Sequence, residues 1–254
     1  MTEPLLKVDQ LRKSFGGVVA TDNLDFDVMP GEIHAVIGPN GAGKTTFVAQ
    51  IAGMLKSDSG SIIFDGRDIA GKTAPERSHM GLARSFQITS VFRNFTALEN
   101  VALSIQAHAG HSFKFWKRAS TDTALTVPAQ KILDDVGLGD KALELAGNLA
   151  HGQQRQLEIA MALATSPKML LLDEPTAGMG TEESENMRKF LNELKGEYSI
   201  LLIEHDMDTV FSVADRVTVL VYGRGIATGT PEEIRNNAEV RAAYLGEDEV
   251  TTGA

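Results

Sequence analysis

The chain contains no cysteine. A disulfide framework and a thiolate metal centre are therefore excluded, and the absence is compatible with a reducing compartment. No stretch approaches the roughly 18 consecutive apolar residues that a membrane span needs. Met1 to Gln10 lacks a basic flank and an apolar core, so no signal peptide is expected there. Positive charge is also short: Lys and Arg number 24 against 34 Asp and Glu, a net charge of −10. That balance argues against broad, nonspecific binding to nucleic acid or anionic lipid, while leaving room for a local basic patch. There is no internal repeat, no low-complexity segment and no Gly-x-Ser-x-Gly nucleophile motif.

What remains is ordinary globular material. An apolar fraction of 43% and a charged fraction of 23% over 254 residues suit one large domain, or a core with an inserted subdomain. Leu5 to Val8 and Val18 to Val28 alternate apolar with polar residues, as half-buried strands do. Ser61 to Phe64 reads as a further strand ahead of an Asp65-Gly66 turn. From Leu98 to Ala164 Gly and Pro thin out and the spacing becomes helical. Met169 to Leu172 and Ser199 to Ile203 are apolar runs of buried parallel strands, and Val217 to Tyr222 is a third strand. Glu182 to Lys195 and Met207 to Val213 read as helices. Pro231 to Leu245 reads as one helix entered through Thr230-Pro231, and the residues after it as a frayed tail. Strands alternating with helices predict a doubly wound α/β core.

The most informative stretch is Gly38-Pro39-Asn40-Gly41-Ala42-Gly43-Lys44-Thr45. It satisfies G-x-x-x-x-G-K-[ST] without a mismatch, between an expected strand at Ile33 to Ile37 and an expected helix from Thr46 to Met54. Glycines let the backbone turn its N–H groups onto phosphate oxygens at a helix N-terminus. Lys44 supplies a point charge for the β and γ phosphates, and the Thr45 hydroxyl is suited to Mg²⁺. Downstream, Leu170-Leu171-Leu172-Asp173-Glu174 is a buried strand ending in two carboxylates. Asp173 is the candidate Mg²⁺ ligand, directly or through water, and Glu174 the candidate general base for an attacking water. Apart from this Mg²⁺ set, no His, Asp or Glu cluster has metal-ligand spacing.

Asn148-Leu149-Ala150-His151-Gly152-Gln153-Gln154-Arg155-Gln156-Leu157 lies between these motifs, and here the chain resembles the ATP-binding subunits of ABC transporters. Their Leu-Ser-Gly-Gly-Gln signature keeps Leu149, Gly152 and Gln153, while Ala150 replaces the serine and His151 the first glycine. The Gly-Gln-Gln-Arg-x-Leu-Glu-Ile-Ala form resembles branched-chain amino-acid importers, as does the tail from Ile226 through Ala243-Tyr244-Leu245-Gly246-Glu247. The resemblance covers Leu5 to about Gly246. It implies a P-loop NTPase core of ABC type with an antiparallel β subdomain and an inserted helical subdomain. The expected division is 1–87 with 166–230 for the core, 88–165 for the helical part and 231–254 for the C-terminal helix and tail.

The same resemblance assigns roles. Gln87 would touch Mg²⁺ and the attacking water, and His205, in Ile203-Glu204-His205-Asp206, would contact the γ-phosphate. Phe15 would stack on adenine, or else be a core phenylalanine. Gly38 to Thr46 would hold ATP on one side. On the other side, Ala150, Gly152 and Gln153 would close over the ATP of a second subunit, a sister or an identical copy. The serine hydroxyl lost at Ala150 removes a donor, and His151 either replaces it or faces solvent. Ala177-Gly178-Met179-Gly180 stands where the loop crosses to the second subunit, without the usual acidic or Asn residue at Gly180. Ile88 to Phe95 either lines a groove for an integral-membrane permease or is plain core. His111 to Arg118, aromatics among cations, is either a membrane-interface segment or a surface helix. The protein implied is a Mg²⁺-ATP hydrolase on the cytoplasmic face of the inner membrane, served indirectly by a periplasmic solute-binding protein and touching no nucleic acid. Alternatives from the same resemblance are a lipopolysaccharide-export ATPase, a soluble ABC ATPase and a regulatory module without hydrolysis.

Overall fold

The computed structural model describes residues 3–85, 91–108 and 122–248, with side chains described as far as residue 243. Among them two sheets form the frame. β1 (Leu6–Phe15) and β2 (Val18–Val28) make an antiparallel hairpin. After β3 (Ile33–Ile37) and α1 (Lys44–Ile51), β4 (Ser59–Phe64) returns to pair with β1 and carries the two-residue β5 (Arg67–Asp68). This first sheet has the order β2-β1-β4-β5. α2 (Ala74–His79) and β6 (Leu82–Arg84) follow. Next come α3 (Ala97–His108), α4 (Thr123–Asp135) and α5 (His151–Leu163). The chain then alternates through β7 (Met169–Asp173), α6 (Thr181–Leu194), β8 (Ser199–Ile203), α7 (Met207–Val213), β9 (Arg216–Val221) and β10 (Arg224–Gly229). It closes with α8 (Pro231–Asn236) and α9 (Ala238–Asp248).

The second sheet has the order β10-β9-β3-β8-β7-β6, all parallel except the β10 edge. Its central strands are buried on both faces, which is why they read as unbroken apolar runs. Ile33, Ala35, Ile37, Leu170, Leu172, Ile200 and Leu202 point into the core shared with the helices. The alternate residues Val36, Met169, Leu171, Leu201 and Ile203 point to the other side, where Phe47, Val48 and Ile51 of α1 pack between the two sheets. Helix α1 is thus a buried spacer. Its C-terminal carbonyls at Gln50 and Ile51 accept from the buried Arg77 guanidinium at 2.7 and 2.6 Å, a cation at the negative end of the dipole.

Several boundaries differ from the sequence expectation. The helix after the phosphate loop starts at Lys44 and ends at Ile51, because Gly53 takes φ 75° and turns the chain. The C-terminal segment is two helices and not one. At Asn237 the backbone goes extended, and its side chain accepts from the N–H groups of Glu239 and Val240, starting α9 afresh. β10 and α2 are additions that the sequence reading does not contain.

Candidate nucleotide site

Three strands deliver the candidate residues to one edge. In the parallel register Val36 of β3 stands opposite Ile203 of β8, and Ile203 opposite Asp173 of β7. The phosphate loop, His205 and Glu174 therefore all leave the carboxyl edge of the same sheet. Adjacent strands lie about 4.8 Å apart, so the loop and the carboxylates are separated by roughly 10 Å at their roots. That edge is where ligands of doubly wound folds bind.

The loop is wedged between backbones. A Cβ at Gly38 would collide with the carbonyl oxygen of Leu220, and one at Gly43 with that of Ala20. Gly43 also sits at φ 101°, outside the range of most side chains. The Gly223 N–H donates to the Ala42 carbonyl at 2.8 Å, and the Asp22 N–H to the Gly223 carbonyl at 2.9 Å. These bonds tie the loop to the β9–β10 turn and to β2. Lys44 Nζ arches over its own loop and donates to the carbonyls of Gly38 and Pro39 at 2.5 and 3.0 Å. No side chain caps α1, so its first N–H groups face the loop's concavity, the arrangement that holds anions.

At the end of β7, Asp173 is buried and its Oδ2 accepts from Arg84 Nη2 at 3.1 Å. Burial raises the Asp173 carboxyl above its ordinary range, opposed by the Arg84 guanidinium. Glu174 follows at φ 48°, a left-handed conformation that costs a non-glycine residue about 1–2 kcal/mol. Its N–H donates to the Ile203 carbonyl at 2.8 Å, and its own carbonyl accepts from Arg155 Nη2 at 3.3 Å. The conformation is thus fixed from both sides. His205 Nδ1 lies 3.8 Å from Glu174 Oε1, with the imidazole largely exposed. That separation is too long for a hydrogen bond and short enough for both groups to face one reacting phosphate and water.

Glu204, fully buried, organises this corner. Its Oε1 accepts from the Thr176 N–H at 3.0 Å and from the Thr176 hydroxyl. Its Oε2 accepts from the N–H groups of His205 and Asp206 at 3.0 and 3.3 Å. One carboxylate thereby joins the segment after Glu174 to the segment that presents His205. Arg155 on α5 does the same for the signature helix. It pairs with Glu158 at 2.6 Å and donates to the Asp173 carbonyl at 3.3 Å as well as to Glu174.

Ala150, Gly152 and Gln153 stand at the N-terminus of α5, against the start of α6. The Gln153 side chain accepts from the Ala150 N–H at 3.1 Å, and the Gly152 N–H donates to Glu183 of α6 at 3.2 Å. His151 is exposed beside Gly178. Phe15 is half exposed, with Lys13 Nζ 5.6 Å above its ring. Thr45 and Thr46 stand in the first turn of α1. Gln87 lies outside the described residues, as do Ile88 to Ser90 and His111 to Arg118. The sequence reading singles out neither Glu204, Arg155, Arg84 nor Glu183. A charged residue at such a position reads as solvated, and only the pairing of Glu204 with the following histidine offered a signal.

Among the described residues no group of three or more His, Cys, Asp and Glu could hold a metal by itself. Mg²⁺ does not need one, since it takes one or two protein oxygens and fills its shell with phosphate and water. A Thr45 hydroxyl and a buried Asp173 carboxyl at one sheet edge fit that requirement. Among the described residues no helix is long and apolar enough to cross a membrane.

Comparison with known proteins places these features. The ABC transporter family model matches residues 21–177, and the model for the branched-chain amino acid ATP-binding cassette transporter matches residues 226–250. The chain is 40% identical over 97% of its length to all of the high-affinity branched-chain amino acid transport ATP-binding protein LivG of Escherichia coli. It is 38% identical over 97% to all of BraF, of the same description, from Pseudomonas aeruginosa. Among solved structures, the ADP conformation of MJ1267, an ATP-binding cassette of an ABC transporter, superposes with TM-score 0.85 at 32% identity, covering 96% of this chain and 100% of that one.

Proposed function

Because this chain belongs to the ABC transporter ATP-binding family, we propose that it is the ATP-hydrolysing subunit of an importer for branched-chain or related amino acids. The arrival of the phosphate loop, Asp173, Glu174 and His205 at one carboxyl edge carries the reading. Lys44 and the N–H groups of the loop hold the triphosphate. Thr45 and Asp173 would hold Mg²⁺, which supplies charge neutralisation between the phosphates. Glu174 accepts a proton from the water that attacks the γ-phosphorus. The bond to the β,γ-bridging oxygen breaks, and inorganic phosphate and ADP leave. His205, fixed through Glu204, holds the γ-phosphate in line. Gln87, whose amide carries both an acceptor and a donor, would hold metal and water, and Phe15 stacks on the adenine.

The likeness of residues 226–250 to the branched-chain module supports an amino-acid importer over lipopolysaccharide export. Ala150, Gly152 and Gln153 complete the ATP site of a second ATPase subunit. Phe92 and Phe95, half exposed with ring centroids 5.6 Å apart, stand beside the half-exposed Leu145. They offer an apolar footing for a membrane permease at the cytoplasmic face. Measured phosphate release tests the reading. Glu174→Gln should keep ATP binding and lower turnover by about 10²-fold or more, the range of a lost general base. Unchanged turnover would refute it.

A further inference from the structure

The signature helix α5 lacks the usual side-chain cap. Its N-cap is Ala150, which has no hydroxyl, and no side chain of that residue closes the helix. Gly152 is buried, and its N–H donates to Glu183 Oε1 at 3.2 Å. The contact is close: a Cβ built at Gly152 would lie 3.2 Å from Oε1 and 3.4 Å from the Cβ and Cδ of Glu183. The other oxygen of the same carboxylate accepts from the Gly180 N–H at 3.4 Å, at the start of α6. One anion is thus shared by the N-termini of two helices of 13 and 14 residues, each a positive dipole end. A hollow beside it, bordered by Gly152, Gln153, Gln156 and Asn186, leaves Glu183 room to swing aside.

We propose that Glu183 is an internal anion that holds the signature helix closed in the separated subunit and competes with the nucleotide of the second subunit for the Gly152 N–H. The inference rests on the reading that Ala150 to Gln153 close over a second subunit's ATP. A phosphate oxygen and the Glu183 carboxylate want the same donor and the same dipole, and they repel each other. ATP-driven pairing therefore has to expel Glu183 first. Because Glu183 lies three residues past Gly180, its release also frees the start of α6, just after the loop expected to cross between subunits. With Ala150 in place of the signature serine the N-cap has no hydroxyl of its own, and the Glu183 carboxylate is what the Gly152 N–H meets.

The test uses the full chain in the Glu174→Gln background, with pairing in ATP followed by sedimentation velocity. Adding Glu183→Gln, which keeps size and one acceptor but removes the charge, should lower the protein concentration for half-pairing by about tenfold. Glu183→Ala should act in the same direction. ATP affinity of the dilute, unpaired subunit should stay within about twofold, because the Lys44 side is untouched. An unchanged or raised half-pairing concentration in Glu183→Gln overturns the latch, including the case where melting temperature drops and the residue proves merely structural. Failure of the Glu174→Gln parent to pair with itself in ATP overturns the latch as a brake on pairing between identical copies, and is distinct from the reading that a sister subunit completes the site.

Discussion

His34 makes the strand that feeds the phosphate loop sensitive to acid. It is fully buried in β3, packed against Phe26 with the rings tilted by 35° and 4.4 Å between centroids. Nδ1 lies 2.6 Å from the Asp27 carbonyl, which can only accept, so Nδ1 carries the proton and Nε2 accepts from the Thr218 hydroxyl at 2.8 Å. Desolvation pushes the imidazole down from 6.5 to about 4, with the Glu32 carboxylate opposing and the Arg216 guanidinium assisting. Above pH 6.5 the ring is neutral in both folded and unfolded chains, and the full stability is present. As pH falls, the unfolded chain binds a proton that the folded one refuses, so stability is lost until about pH 4, where the folded ring also protonates. A gap of about 2.5 pH units at about 1.36 kcal/mol each gives a loss of about 3 kcal/mol. That is a large part of a typical 5–15 kcal/mol domain stability. Urea unfolding at pH 7 and pH 4.5 measures it. His34→Gln should be less stable at pH 7 but should lose about 2–3 kcal/mol less than the parent on acidification. Parallel losses in the two proteins would refute a neutral, buried His34.

Lys44→Ala should weaken ATP binding by about tenfold or more, a lost charge-assisted contact of roughly 1.5–3 kcal/mol; equal affinity by calorimetry would count against the loop assignment. Gly43→Ala should destabilise by about 2 kcal/mol or more, from positive φ and collision with the Ala20 carbonyl; an unshifted melting temperature would contradict the described packing. Glu204→Gln replaces one acceptor oxygen by an NH₂ that must face either Thr176 or the His205 and Asp206 N–H groups. It should cost about 2 kcal/mol of stability and lower turnover more than ATP affinity, and steady-state kinetics with unchanged turnover would deny Glu204 its positioning of His205.

Much of the fold was legible because the central strands bury both faces. Leu170 to Leu172 and Ile200 to Ile203 admit no reading but a covered sheet. The phosphate loop was legible because glycine spacing encodes a backbone shape. Other features depend on partners distant in sequence. Arg155 looks like the polar side of a helix until the Asp173 and Glu174 carbonyls are seen beneath it. β10 is an edge strand, half exposed and glycine-containing, so it lacks the apolar signal of its neighbours. α2 went unread although its signal was present: Thr73 and Glu76 are three apart, Pro75 lies in the first turn, and the Thr73 N–H donates to the Glu76 carboxylate at 2.8 Å. The break at Asn237 was likewise present in Asn236-Asn237, a pair suited to ending one helix and capping the next.

The walls against which Gly38 and Gly43 press are main-chain oxygens, those of Leu220 and Ala20. Every amino acid carries that oxygen, so a replacement at position 20, or an apolar one of similar size at the buried position 220, presents the loop with the same wall. Substitution can drift there without altering the nucleotide cradle. A single inserted or deleted residue in β2 or in the β9–β10 turn is different, because it shifts the wall itself along the loop. The cradle is therefore tolerant of spelling changes in its surroundings and intolerant of changes in their length.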